Sequence, residues 1–248
     1  MRIDVVFGPG VAAPSFVTGR AVAVIDVLRA STTIAVALHH GARNVVPLES
    51  ADEVITRAKQ LDRSETILAG ERRLLPIDGF DLGNSPLDFT REKVEGKTVL
   101  FTTTNGTAAL AGLSGAREVL IASYVNFSAV ARALRLATKQ GADVTLLCAG
   151  REKMFSLEDA ACAGRFVKAI VRRATTAALG DGAVACLLVD RRYGENLARL
   201  FGDAEHGRAL ADAGFGADLE ACANIDAYPV VPVFQDRQIT AVETGRGR

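Results

Sequence analysis

Three junctions in this chain bring together residues that can do chemistry. The first is Asp26-Val27-Leu28-Arg29-Ala30-Ser31-Thr32-Thr33. The apolar residues 22–25 before it read as a buried strand. Asp26 stands at that strand's carboxyl end, where open α/β sheets bind ligands. A carboxylate there can hold a metal ion, and Arg29 can grip a phosphate oxygen. The helix start that follows, rich in hydroxyls at Ser31 and Thr32, offers free N–H groups and a positive dipole end. Together these make a phosphate-ester site, although Asp26 alone is also an ordinary strand-end acid and Ser31 or Thr32 an ordinary N-cap. The second junction is Thr102-Thr103-Thr104-Asn105-Gly106-Thr107, a run that suits an anion-binding nest or a plain satisfied turn. The third is Phe155-Ser156-Leu157-Glu158-Asp159, continuing to Cys162-Ala163-Gly164. Ser156 can cap a helix with both acids in its first turn, which is common helix-start chemistry as well. Adjacent helical residues diverge by about 100°. Glu158 and Asp159 are therefore not expected to face one ion together, and one of them is expected to act behind the other. Oxygen ligands at strand ends suit a hard cation such as Mg2+.

The elements that must position these residues alternate between strand and helix. Residues 2–7 alternate as a first strand. The Asp26 strand leads into an alanine-rich helix over 34–40, which Gly41 stops before a strand over 45–48. Ser50 and Glu53 have capping-box spacing and start another helix, followed by a short strand over 66–69. Residues 70–89 form a long irregular segment of the length that is usually functional. The residue pattern then repeats the first unit: strand, hydroxyl-rich turn, small-residue helix, Gly115-Ala116-Arg117, strand. This echoes Gly41-Ala42-Arg43, and such βαβ units cross over right-handedly onto a parallel sheet. A helix over 128–139, a strand over 143–148, a helix over 157–173, a strand-like run over 183–189 and a helix over 196–200 follow. Residues 230–234 and 238–243 read as strands around a turn. The expected fold is α/β, a three-layer α/β/α arrangement with a largely parallel sheet built from two closely packed βαβ-type halves. One unit of 248 residues is expected, which could comprise lobes of about 1–125 and 126–248.

Composition narrows the function classes. Acidic and basic residues balance at 29 each, which removes the simple electrostatic case for nucleic acid or an anionic membrane surface. With no Trp and 6% aromatic residues, there is little for base stacking. No apolar run is long enough for a spanning helix, and no signal core opens the chain, so a cytoplasmic location is expected. Four cysteines without C-x-x-C spacing argue against zinc or a redox pair, and Cys148 and Cys186 read as buried small hydrophobes. The three histidines form no sequence pattern: His39 and His40 end a helix, and His206 lies in a polar stretch. There is no G-x-S-x-G, P-loop or G-x-G-x-x-G after a strand.

Taken in order, several motifs resemble one family, the Mg2+-dependent 2-phosphosulfolactate phosphatases. They are residues 24–33, Gly70-Glu71-Arg72, Gly79-Phe80-Asp81-Leu82-Gly83-Asn84-Ser85-Pro86, residues 102–107, Cys148-Ala149-Gly150, Phe155-Ser156-Leu157-Glu158-Asp159 and Cys162-Ala163-Gly164. Asp88 stands where the family's pattern would have Glu. The resemblance implies an α/β enzyme that hydrolyses (R)-2-phospho-3-sulfolactate to sulfolactate and phosphate, a step toward coenzyme M, with Mg2+ as cofactor. On that basis Asp26 and Glu158 are expected to hold metal, with Glu158 or Asp159 completing its shell or acting as base. Arg29, Ser31 and Thr32 are expected on the phosphate. Arg72 and the nest Thr103, Thr104, Asn105, Gly106 and Thr107 are expected on the sulfonate or carboxylate. Glu71, Asp81 and Asn84 are expected to line the pocket. A second Asp two residues after Asp26 would mark an aspartyl-phosphate enzyme; Leu28 stands there, which favours direct attack by water. The expected partner is a small anionic phosphorylated substrate, with no nucleic acid and no membrane, and a homodimer is left open. Two alternatives stand: a Mg2+ phosphatase for another phospho-hydroxyacid, and a non-catalytic binder of an anionic metabolite.

Overall fold

The computed structural model describes the chain except residues 9–12, 105–107, 111, 153, 173–176, 195 and 243–248. Its strands are β1 (Arg2–Phe7), β2 (Ala21–Ile25), β3 (Asn44–Pro47), β4 (Thr66–Arg72), β5 (Leu75–Pro76) and β6 (Thr98–Thr102). They continue with β7 (Glu118–Ala122), β8 (Val144–Cys148), β9 (Ala178–Leu179), β10 (Val231–Gln235) and β11 (Gln238–Val242). The helices are α1 (Ala30–His39), α2 (Ala51–Ala58), α3 (Arg91–Val94), α4 (Phe127–Lys139) and α5 (Leu157–Val171). After these come α6 (Asp181–Tyr193), α7 (Leu197–Asp203), α8 (Glu205–Asp212) and α9 (Gly216–Ala223). All strands join one sheet in the order β5-β4-β6-β3-β11-β10-β7-β2-β8-β1-β9. Most of its neighbours are parallel, and helices cover both faces, so the expected three-layer α/β/α class holds.

Two parallel sets make up this sheet. One is β4-β6-β3 and the other β7-β2-β8-β1-β9. The antiparallel hairpin β10–β11 lies between them, joined through one residue pair on each side, Val233 with Leu120 and Ile239 with Val45. The expected repeat therefore takes a different form. β2 and β3 are not neighbours, nor are β6 and β7; each unit carries the chain from one set to the other across the hairpin. In the second unit the helical part described is a single 3-10 turn, Ala108–Leu110. Strands from before and after residue 125 share one set, since β1 lies between β8 and β9.

β2 shows why the sheet sits where it does. All five of its residues are buried, as a strand covered on both faces requires. Ala21, Ala23 and Ile25 join the core beneath α4 and α5, while Val22 and Val24 join the core beneath α1. The α4 stripe Val130, Leu134 and Ala137 is buried as its spacing predicts. Ser50 caps α2 through the Glu53 N–H at 3.1 Å, but Glu53 reaches back to the Glu49 N–H rather than to Ser50. Residues 183–189 are helical, within α6, rather than a strand. A short apolar run does not distinguish the two by periodicity. α6 packs so closely on α5 that a Cβ on Gly164 would run into the Cys186 carbonyl. The four cysteines are buried and unbridged, and burial pushes the Cys148 and Cys162 thiols up, away from reactivity. Among the described residues no helix is long and apolar enough to cross a membrane.

Candidate active site

The chain leaving β2 turns sharply at residues 26–29 before α1, through a cis peptide bond between Leu28 and Arg29. Asp26 is buried at this turn, its Oδ1 accepting from the Ala30 N–H at 3.2 Å. The hydroxyls that follow face inward. Ser31 Oγ accepts from the Asp26 N–H at 3.0 Å. Thr32 Oγ1 donates to the Val27 carbonyl at 2.9 Å and shares a 2.7 Å hydrogen bond with Ser123. Neither caps α1, whose N-cap is Arg29, and neither lines the cavity beside Asp26. The turn itself uses these hydroxyls, so the structure does not bring Ser31 and Thr32 to the cavity with Asp26.

That cavity has a volume of about 300 Å3. The β2–α1 turn supplies Asp26, Leu28 and Arg29, and the end of β4 with its hairpin supplies Glu71, Arg73 and Leu74. Asn84 comes from the long segment, Thr103 and Thr104 from beyond β6, Arg151 and Glu152 from beyond β8, and His206 from α8. The carboxyl ends of strands in both parallel sets therefore meet in one place. Glu71 spans two of these pieces, accepting from the Thr104 N–H at 2.7 Å and the Leu74 N–H at 2.9 Å. Asn84 gives its carbonyl to Thr33 at 2.9 Å, while no described group hydrogen-bonds its buried Oδ1.

Other expected residues lie elsewhere. Arg72 points away from the cavity, toward the Glu49 and Glu71 carbonyls and Thr102 Oγ1, because strand alternation turns it to the side opposite Glu71. Asp81 holds the middle of β4 instead, accepting from the Leu68 N–H at 2.8 Å and pairing with Arg63 at 2.6 Å. Asp159 is buried behind the cavity, its two oxygens taking the N–H groups of Val27 at 2.9 Å and Gly150 at 3.1 Å. It ties the exits of β2 and β8 to α5. Ser156 caps that helix through the Asp159 N–H. Glu158, one position earlier, faces His206 Nδ1 at 3.3 Å and opens on an adjoining cavity of about 250 Å3 that shares Arg151, Glu152 and His206. The two acids diverge as helix geometry demands. Asn105, Gly106 and Thr107 lie outside the described residues.

Electrostatics marks Asp26 as the unusual group. Burial raises its pKa from 3.8 to about 6, against the opposing pull of His206 and the Ala30 N–H, and the neighbouring Glu158 and Glu71 push it further up. Asp159 is also held well above the usual carboxylate range, by burial first and then by Glu158 and Asp26. Arg29, by contrast, is neutralised: its guanidinium meets Asp218 at 2.6 Å and the Leu74 carbonyl at 3.0 Å, with its carbon 4.3 Å from the centre of the Phe215 ring. Asp218 in turn accepts from Ser85 at 2.7 Å.

Comparison with known proteins shows the family of the chain. The family model described as 2-phosphosulpholactate phosphatase matches residues 12–237. The chain belongs to this family. Its relatives agree over nearly their full lengths. A protein of Symbiobacterium thermophilum named "Probable 2-phosphosulfolactate phosphatase" is 40% identical over 91% of this chain and 95% of its own. Proteins with the same name from Caldanaerobacter subterraneus and Clostridium beijerinckii are 39% and 36% identical, over 85% and 97% of this chain and 86% and 99% of theirs. Membership of the 2-phosphosulpholactate phosphatase family makes the chain an enzyme of the phosphoric monoester hydrolase class.

Within that class, the donor set fits a hard cation. Asp26 and Glu158 each present a second carboxylate oxygen that no described group hydrogen-bonds, and Asn84 adds an unpartnered amide oxygen. Among the described residues no three His, Cys, Asp or Glu side chains form a ready-made cage. A Mg2+ held by one or two carboxylates, substrate phosphate and water requires none. The sequence reading missed His206, Arg73, Arg151 and Asp218. Arg151 followed a recognised strand end and Arg73 a recognised motif, so adjacency could have found them. His206 and Asp218 had no such signal, since their partners lie far away in the chain.

Proposed function

We propose that this protein is a Mg2+-dependent phosphatase that converts (R)-2-phospho-3-sulfolactate to (R)-3-sulfolactate and phosphate, as a cytoplasmic step toward coenzyme M. The observation that carries this reading is the meeting of Asp26, Glu71, Arg73, Arg151 and His206 in one cavity at the strand ends. A substrate with three anionic groups needs cations around it and carboxylates only where a metal intervenes. Asp26 and Glu158 would hold the ion. When bound, Mg2+ supplies charge neutralisation at the phosphoryl oxygens and orients water.

The chain's own groups do the rest. Asp26, buried and at odds with its charge, is stabilised as an anion by a cation placed against it. His206 keeps Glu158 oriented through Nδ1. Glu71 fixes the β4 hairpin to the threonine turn so that both walls stay in register. Thr103 and Thr104 face the ligand from the end of β6. In the reaction a water oxygen bonds to phosphorus and the bond from phosphorus to the C2 oxygen breaks. That oxygen leaves with a proton, yielding the hydroxyl of sulfolactate.

The test is phosphate release from 2-phospho-3-sulfolactate, 2-phospholactate and phosphoglycolate, with Mg2+ and with chelator. Turnover that is strongest on the sulfonated ester and lost with chelator supports the reading. Equal rates on the simpler esters would remove the substrate, and turnover unaffected by chelator would remove the metal.

A further inference from the structure

The hairpin joining β4 to β5 has a loop of two residues, Arg73 and Leu74, between the paired Arg72 and Leu75. Both loop residues have positive φ, 51° and 74°, as in the type I′ turn that closes two-residue hairpins. Asn and Gly ordinarily fill such a turn, because a residue with a Cβ is disfavoured in the left-handed region by roughly 1–2 kcal/mol. Here a long cation and a branched apolar side chain occupy it. The surroundings hold the loop in place. The Leu74 N–H donates to Glu71, the Leu74 carbonyl accepts from Arg29, and the Leu74 side chain packs against the core. Both residues line the cavity that holds Asp26. Backbone strain maintained by three neighbours at a ligand cavity points to function.

Among the described residues three arginines and one histidine line this cavity, and they differ in what they already hold. Arg29 is paired with Asp218, Arg151 with Glu205 at 2.7 Å, and His206 faces Glu158. Among the described residues, none hydrogen-bonds or ion-pairs with the Arg73 guanidinium. On the substrate reading above, we propose that Arg73 is the specificity-determining residue for the substrate's second strong-acid group, gripping the sulfonate remote from the phosphate ester. A sulfonate is permanently ionised and presents three oxygens, two of which match the guanidinium fork. Leu74 and Leu28, on the same cavity wall, face the carbon chain. The strained turn aims Arg73 before substrate arrives, so less ordering is left for binding.

The test uses Arg73→Gly in the full chain. Glycine suits the positive φ, so the variant folds and its thermal midpoint is at or above wild type. The readout is kcat/KM on 2-phospho-3-sulfolactate divided by that on 2-phospholactate, which carries hydrogen in place of the sulfonate. Loss of one charge-assisted contact lowers this ratio by about 100-fold, mostly through KM. Arg73→Lys recovers part of it, and Arg72→Ala leaves it at the wild-type value. An Arg73→Gly enzyme that keeps the wild-type ratio overturns the assignment while the substrate reading stands. If wild type hydrolyses neither ester, the substrate reading falls. Calorimetry with sulfolactate and lactate then decides on Arg73: a wild-type preference for sulfolactate that Arg73→Gly loses supports the anion grip, and no such difference removes it.

Discussion

Asp26 and Asp159 make an instructive pair. Both are aspartates buried where strands of one parallel set end, and burial raises both above the ordinary carboxylate range. They differ in what satisfies them. Asp159 receives two backbone N–H groups, from Val27 and Gly150, and has no face on the cavity. Asp26 receives one, from Ala30, and lines the cavity. A buried carboxylate whose oxygens are both occupied is a strut, and one left half-occupied beside a cavity has an oxygen to offer a ligand, which on the proposed function is Mg2+. Neither sequence position nor residue type makes this distinction; the count of hydrogen bonds does.

The strongest way to break the comparison is Asp26→Asn. The amide keeps the Ala30 contact but carries no negative charge to hold a cation. Turnover should fall by about 1,000-fold or more. Stability should move the other way. An Asp titrating at about 6 in the fold rather than 3.8 costs the metal-free protein about 3 kcal/mol at neutral pH. The sign follows from linkage: a raised folded pKa gives stability that is complete below 3.8 and lost as pH climbs to about 6. Metal-free Asp26→Asn should therefore unfold at higher urea than metal-free wild type at pH 8, with the gap closing as pH falls from 6 toward 4. An Asn variant that is no more stable at pH 8 would show that Asp26 is not the strained group.

Asp159→Ala should do the reverse. It strands two buried N–H donors, each worth about 1–3 kcal/mol, while relieving one buried acid. Urea unfolding should show a net loss of about 2–4 kcal/mol. Activity per folded molecule should fall far less than in Asp26→Asn. Wild-type stability with abolished turnover would instead make Asp159 a reacting group and dissolve the contrast.

What could be read in advance follows the same line. β2 with Asp26 at its end, the Ser156 cap and the divergence of Glu158 from Asp159 are local properties of strand and helix, and all were legible. The hairpin β10–β11 was legible as two strands around a turn, but its position between the parallel sets was not, since each flank rests on one residue pair. The sequence singles out Arg72 through the Gly70-Glu71-Arg72 motif and passes over Arg73, since a type I′ turn built from Arg and Leu lacks the Asn-Gly signal. Its two-residue loop reverses which arginine faces the cavity. Ser31 and Thr32 looked available because a hydroxyl's partner is invisible until Val27 and Ser123 are placed beside it. His206 was dismissed for want of a pattern, and its partner Glu158 lies on another helix.

The smallest effect expected comes from the residue that caps α5. Ser156 Oγ accepts from the Asp159 N–H at 3.3 Å, long for a hydrogen bond, at the N-terminus of that helix. Ser156→Ala should cost about 1 kcal/mol, lowering the thermal midpoint by roughly 2–4 °C for a chain of this size. Asp159 has its own two anchors and should hold the helix start in place, so Glu158 keeps facing His206 and kcat changes less than about 3-fold. A much larger fall in kcat with the same small change in midpoint would mean that the cap, and not Asp159, sets the direction of Glu158. The strut would then lie at the cap of the helix, three residues earlier than the comparison of the two aspartates places it.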